Sequence, residues 1–346
     1  MGRRTEGRLH PPLPSGRLRP SSTGYGEGRT TEGGPGWGVS QRDICSAIVE
    51  SLSPPPTSSE TEEVTSPLQG EVQQIFAANR AHGRVSLTLA ATPRGTRRTV
   101  TREEGSLRVR FPGACAGAPE AVLVNTAGGI AGGDRFRIDL DLQAGAELMV
   151  TTAAAEKIYR SLGPDAAIDV TARLADGAAL TWLPQETILF DRARLVRTVD
   201  ITLAPSSTLL FAETVVFGRT AMGETVRQGL FADRWRVRRG GRLIFAENFR
   251  LDGAIADHLA ESAIAKGHTA IGTVLLAPGD DTAIAAVRAA ADRFRGEVGI
   301  SAWSNSAASG IALARLAAPD GALLRHDLAV LLSALGRDAL PRNWLH

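Results

Sequence analysis

The chain has 346 residues, 43% hydrophobic and 22% charged, with a net charge of +2, enough for one large domain or two modest ones and without the charge excess of a nucleic-acid binder. Cys45 and Cys115 are the only cysteines, which argues against a disulfide framework or a cysteine-based zinc site and fits a reducing compartment. No apolar run approaches the ~18 residues of a membrane span, and Arg3-Arg4 precedes no apolar stretch, so the sequence predicts a cytoplasmic protein with no membrane contact.

Residues 1–70 hold nine of the 18 prolines, with many Gly, Ser and Thr and almost no periodic apolar pattern. Such a segment buries too little apolar surface to offset its ordering entropy, so it is read as a disordered extension. The composition changes near residue 76, and a β-rich domain is expected over 76–346. RVSLTLA (84–90) and SLRVRF (106–111) alternate with period two, placing Leu107, Val109 and Phe111 on one face.

The stretch Asn125–Asp134, NTAGGIAGGD, sits between apolar AVLVN and strictly alternating RFRIDLDL. No Gly-Lys-Ser/Thr occurs and no helical pattern follows, so neither a phosphate cradle nor a dinucleotide fingerprint fits; strand, tight glycine turn and strand does. In the strand after it, Phe136, Ile138, Leu140 and Leu142 face in. Beyond lies an internal repeat of an apolar residue, a turn, and a second apolar residue six positions on. Its units are Leu142–Leu148, Leu174–Leu180, Leu203–Leu209 and Val237–Leu243, starting at spacings of 32, 29 and 34 residues. A period near thirty in strand-rich sequence implies stacked β units, each burying a face against the next. A glutamate follows each unit: Glu156, Glu186, Glu213 and Glu247. Stacking would bring these carboxylates toward a common line through the fold, while Arg160, Arg197, Arg219 and Arg250 are near enough in sequence to pair with them.

After residue 252 the pattern shifts to strand (272–277), helix (282–295), strand (310–318) and helix (323–337), with an apolar stripe of Leu324, Leu328, Leu331, Leu332 and Leu335 on the last. The fold class expected is therefore mainly β, with stacked, helically coiled strands and a small C-terminal α/β part containing two helices.

No catalytic motif emerges. The six histidines form no H-E-x-x-H, the densest cluster being His258 and His268 with Asp257 and Glu261, and no nucleophile elbow or Cys-His pair occurs. Carboxylates abound, which leaves a carboxylate-based hydrolase on a β coil as an alternative. Against it, aromatics make up only 5% of the chain, few for a sugar-stacking groove. The residues alone read as a β-rich protein with no active site in evidence.

NTAGGIAGGD, EKIYRS, WLPQETILF and FGRTAMGE, in that order, with LPRNW near the end, resemble the signature blocks of the urease accessory protein family UreD (UreH), over about 76–346. The extension at 1–70 lies outside the resemblance. Membership would imply a non-enzymatic maturation chaperone that binds the urease apoprotein and UreF, which recruits the GTPase UreG. It would also imply a β-rich, coiled fold and delivery of nickel to the urease active site along an acid-lined internal tunnel. By block matching, the family's implicated acids fall on Asp134, Glu213 and Glu247, with Glu156 and Glu186 at neighbouring block positions. No tightly bound cofactor is expected, only transient Ni²⁺. Carboxylates suit such a conduit, because imidazole or thiolate would hold Ni²⁺ too tightly, and 124–252 contain neither His nor Cys.

Overall fold

The structure, a computed structural model, describes residues 79–115, 117–303, 310–337 and 340–344. The expectation for residues 1–70 lies outside these. The alternating runs form strands: β1 (His82–Thr92), β2 (Gly95–Gly105), β3 (Leu107–Cys115), β4 (Ala118–Asn125), β5 (Arg135–Leu142), β6 (Glu147–Thr152), β7 (Glu156–Ile158), β8 (Ala166–Leu174) and β9 (Ala179–Trp182). They continue through β10 (Thr187–Leu189), β11 (Arg194–Leu203), β12 (Thr208–Phe217), β13 (Gly229–Arg239), β14 (Arg242–Gly253), β15 (Ala270–Ala277), β16 (Glu297–Trp303) and β17 (Ile311–Ala318). The helices among the described residues are α1 (Ile255–Ala260), α2 (Asp281–Ala289) and α3 (Gly321–Ala334), and none is long and apolar enough to cross a membrane.

The strands form a β-solenoid of about four turns. One sheet runs β14-β13-β11-β8-β5-β1-β2, and the other runs β16-β17-β15-β12-β9-β6-β4-β3 with β7 and β10 beside β12. β5, β8, β11 and β13 stack in parallel in the first sheet, and β6, β9 and β12 in the second. Each turn thus crosses from first sheet to second at a near corner (143–146, 175–178, 204–207) and returns at a far corner (126–134, 159–165, 190–193, 218–228). Inward positions such as Phe136, Ile138, Leu140, Leu142, Val170, Leu195, Val199 and Ile201 are buried between the sheets. Their removal from water is the main force closing the coil.

The sequence repeat is the near corner. Leu142, Leu174 and Leu203 are directly in register, and the corners bond to each other. Gly145 N–H donates to the Asp176 carbonyl at 2.9 Å, and Gly177 N–H to Ser206 Oγ at 3.0 Å. Gly145 and Gly177 both sit at φ 68°, a left-handed conformation that glycine adopts without steric cost. The fourth unit differs. Val237 pairs with Ile201 while Leu203 pairs with Arg239, two residues out of phase. Its Gly240-Gly241 pair closes a two-residue hairpin, so β14 folds back antiparallel on β13 and ends the coil instead of adding a turn.

The C-terminal part is built onto the same body. β15 pairs antiparallel with β12, then β17 with β15 and β16 with β17, so the second sheet simply continues. β16, unread in the sequence, is a half-exposed edge with weak apolar contrast. Asp280 caps α2 by accepting from Thr282 N–H and Ala283 N–H, and Asp320 caps α3 by accepting from Leu323 N–H. Both helices therefore begin earlier than their apolar stripes suggest. α2 stops at Ala289, followed by a 3₁₀ turn at Ala291–Arg293, and α3 stops at Ala334. The stripe of α3 is covered by the body: Leu324, Leu328, Leu331 and Leu332 pack with Leu183, Leu210, Val216, Val274 and Leu316. α1, only six residues, is pinned by buried Ile255 and Leu259.

Candidate functional site: two cavities and a charged wall

The ladder of the second sheet is interrupted at one level of the coil. β6 and β7 are separated by residues 153–155, and β9 and β10 by 183–186, where Pro184 cannot donate to a ladder. β12 runs straight past, pairing with β9 through Phe211 and with β10 from Val215, so Ala212, Glu213 and Thr214 face a gap. At this gap lies a cavity of about 320 Å³, lined by apolar Leu107, Phe136, Ile138 and Trp182 and by Asn125, Glu156, Arg197 and Glu213. A second cavity of about 600 Å³ lies between β13 and β14 on one side and β15–β17 on the other, lined by Phe231, Asp233, Glu247, Arg315, and again Arg197 and Glu213. Exposed residues line both, among them Gly128 and Lys157 in the first and Ile264 and Glu297 in the second.

Arg197 and Glu213 thus face both cavities, and Asp233 joins them. Arg197 is directly opposite Asp233 in the β11–β13 ladder, while Glu213 projects from the other sheet. All three are buried, at 3%, 6% and 7% exposure for Arg197, Glu213 and Asp233. Arg197 donates from Nε to Asp233 Oδ1 at 3.0 Å and from Nη2 to Oδ2 at 2.5 Å, a two-pronged pairing, and from Nη1 to Glu213 Oε2. Two indoles fix the carboxylates from behind: Trp182 Nε1 donates to Glu213 Oε1 at 2.8 Å, and Trp235 Nε1 to Asp233 Oδ1 at 2.8 Å. Phe211 stands between these indoles, stacked on Trp182 at 5.4 Å and edge-on to Trp235 at 4.9 Å.

Burial pushes the Glu213 carboxyl above its ordinary pKa, and the Arg197 charge offsets this only in part because Asp233 adds repulsion. Burial alone would lower the Arg197 pKa, but the charges of Asp233 and Glu213 outweigh it and hold the guanidinium firmly protonated. Glu156, in the first cavity, accepts from Asn125 Nδ2 at 3.0 Å. Its burial raises its pKa to about 7 in spite of that bond and of Lys157.

The sequence-expected acids separate into three environments. Glu156 and Glu213 line the first cavity, and Glu213 and Glu247 the second, so Glu213 is common to both. Glu247 bonds Arg315 across the mouth of the second cavity. Glu186 lines neither cavity, accepting from Arg325 Nη2 of α3 at 3.1 Å. Asp134 lies at the far corner with both oxygens engaged: Oδ1 accepts from Ala81 N–H and Oδ2 from Ala131 N–H, each at 2.8 Å. Of the arginines near these acids in sequence, Arg197 takes the pairing with Glu213, whereas Arg219 pairs with Glu224 and Arg250 with Asp252. Among the described residues, no three His, Cys, Asp or Glu side chains converge as a metal-binding group. His258 lies 3.7 Å from Glu261.

Asp233 was missed in the sequence, and a signal for it exists. Leu195, Arg197, Val199 and Ile201 share one strand phase, as do Phe211, Glu213, Val215 and Phe217, and Phe231, Asp233, Trp235 and Val237. A charge at an apolar-phase position is either buried and paired or breaks the strand, so three such charges mark a buried ionic cluster.

The glycine stretch builds the rim of the first cavity. Buried Ile130 bridges Ile158, its N–H donating to the Lys157 carbonyl at 2.7 Å. A Cβ on Gly132 would lie 2.1 Å from Ser161 Oγ and 2.6 Å from the Pro164 carbonyl oxygen, so only glycine lets the corners approach. Tyr159 Oη donates to the Gly128 carbonyl at 2.9 Å. NTAGGIAGGD and EKIYRS are therefore one structural unit.

Comparison with known proteins gives the same grouping. The family model described as UreD urease accessory protein matches residues 81–345. A urease accessory protein UreD from Rhodopseudomonas palustris strain BisB5 is 57% identical over 274 residues, 79% of this chain and 95% of that protein. Another from Bradyrhizobium diazoefficiens is 54% identical over 272 residues, 79% of this chain and 96% of that protein. With a family match over nearly all the described residues and relatives at such identity, the chain belongs to the UreD family of urease accessory proteins.

Proposed function

We propose that this chain serves urease maturation as a non-enzymatic, cytoplasmic chaperone. In this reading it binds the urease apoprotein and the accessory proteins UreF and UreG, and passes Ni²⁺ toward the urease active site through its interior. The observation that carries it is the pair of cavities that share Arg197 and Glu213 as a wall, with Glu156 on one side and Glu247 on the other. Ni²⁺ is cargo here. Carboxylates that do not converge attract a divalent cation without the multidentate grip that would retain it, and apolar walls strengthen that attraction by excluding water. Glu156, Glu213 and Glu247 are the residues placed to handle the ion. Asp134 and Glu186 act at one remove, Asp134 by holding the rim and Glu186 by tying the coil to α3.

The test is urease maturation with Glu156→Gln and Glu247→Gln chains. Urease should co-purify with each variant and with UreF as it does with wild type, yet contain less nickel. Normal nickel content in both, with normal binding, would overturn the path through the cavities. The hydrolase alternative gains no support from the geometry, since both oxygens of Glu213 are held by Arg197 and Trp182.

A further inference from the structure

We propose that Arg197 is the gate between the two cavities, and that it sets the preference of the passage for divalent over monovalent cations. The inference rests on reading the cavities as one cation path. Arg197 is the one group that belongs to both cavity walls and to the ion cluster from the first sheet, and Glu213 is its counterpart from the second. With the guanidinium seated on both carboxylates, the neck of the path is filled and the two groups that would receive a cation are already paired.

Charge balance decides what can displace it. When both carboxyls are ionised, they and the one guanidinium leave one excess negative charge, enclosed by Trp182, Phe211, Phe231 and Trp235. A monovalent cation that took the place of Arg197 would leave the same excess and gain nothing over the resident charge. A divalent cation neutralises both carboxylates, so it can hold them while the guanidinium moves out. The carboxylates stay in place during the exchange, because the indoles of Trp182 and Trp235 bond to Oε1 of Glu213 and Oδ1 of Asp233. The guanidinium has somewhere to go: the second cavity offers about 600 Å³, and the Phe231 ring is already 5.7 Å from its carbon, a face that attracts cations. Once the ion passes on, the two carboxylates draw Arg197 back.

Trp182 and Trp235 report on the neck directly. In the purified full chain, tryptophan fluorescence would be followed while Co²⁺, a quenching divalent probe, is added with or without excess K⁺ as competitor. Wild type should resist Co²⁺, whereas Arg197→Met should be quenched at a Co²⁺ concentration at least about tenfold lower, a ratio worth about 1.4 kcal/mol. Adding Glu213→Gln to Arg197→Met should return the response to the wild-type range, and excess K⁺ should weaken the Co²⁺ response of Arg197→Met but not that of wild type. Equal Co²⁺ response in wild type and Arg197→Met, or a response in Arg197→Met untouched by Glu213→Gln, would overturn the gate. If Arg197→Met does not fold, Arg197→Lys decides. Its shorter ammonium reaches one carboxylate at a time, so half-quenching should fall between the two cases, and a wild-type response would overturn the gate. The experiment needs no urease. A Co²⁺ response as expected, with nickel content of urease indifferent to Glu156→Gln and Glu247→Gln, would leave the gate standing and remove the nickel path.

Discussion

The two corners of the coil solve the same problem in opposite ways. The near corner repeats one local solution: a short turn between in-register leucines, each turn bonded to the next through Gly145, Asp176, Gly177 and Ser206. The far corner uses turns of unequal length, each knitted by a different set of contacts. Asp134 reaches Ala81, Tyr159 reaches Gly128, Arg194 pairs with Asp165 at 2.6 Å, and Asp191 accepts from Arg227 N–H and Gln228 N–H. NTAGGIAGGD, EKIYRS and FGRTAMGE all fall at the far corner, beside the first cavity or one turn from it. The repeat specifies the scaffold, and the irregular corner carries three of the five stretches on which the family resemblance rests.

The sharpest way to break this comparison is at Asp134. Asp134→Ala removes the acceptor of two half-buried N–H groups and should cost about 2–5 kcal/mol in urea denaturation. Asp134→Asn, which keeps one carbonyl acceptor, should recover part of that. A loss well under 1 kcal/mol for Asp134→Ala would mean that the far corner is not held this way.

Glu156, next to that corner, should show the opposite sign. Its folded-state pKa is raised to about 7 from an ordinary 4.5. The stability tied to its protonated form is therefore fully present below about pH 4.5 and is lost as pH rises through 7. Glu156→Gln, which stays neutral, should be more stable than wild type by about 1–3 kcal/mol above pH 7, and the gap should close below pH 4.5. A pH-independent difference would show that burial does not perturb this carboxyl.

At the near corner the expected effects are smaller and alike from turn to turn. Gly177→Ala, forced to φ 68°, should cost about 1 kcal/mol, and Gly145→Ala a similar amount. Ser206→Ala, which loses the bonds to Gly177 and Asp176, should cost about 0.5–1 kcal/mol. Near-corner losses as large as that of Asp134→Ala would erase the contrast between the corners.

The coil was legible because its causes are local. Period two in RFRIDLDL and the leucine–turn–leucine unit follow from strand pleat and turn chemistry, and Leu142, Leu174 and Leu203 align as the repeat implies. The fourth unit misled, because the same spacing serves a two-residue hairpin as well as a corner. β16 and α1 were unread because an edge strand and a six-residue helix carry little periodic contrast. At the site, the glutamates were found by their repeat position, but which way each points depends on which sheet and which interruption of the ladder it occupies. Glu186 and Thr187 are neighbours in sequence, yet Glu186 meets α3 while Thr187 lines the first cavity. Arg197 was seen only as a neighbour of an acid, and Asp233 not at all, although both hold apolar-phase positions.

The most direct test of the account is the nickel content and activity of urease in cells that carry the urease operon with this gene deleted. The deletion would be complemented by the full chain or by residues 71–346. The account predicts apo-urease in the deletion strain and restoration of both nickel and activity by the full chain, with residues 71–346 sufficient because the coil and both cavities lie within them. No restoration by either form, with the protein soluble and expressed, would contradict a role in nickel delivery.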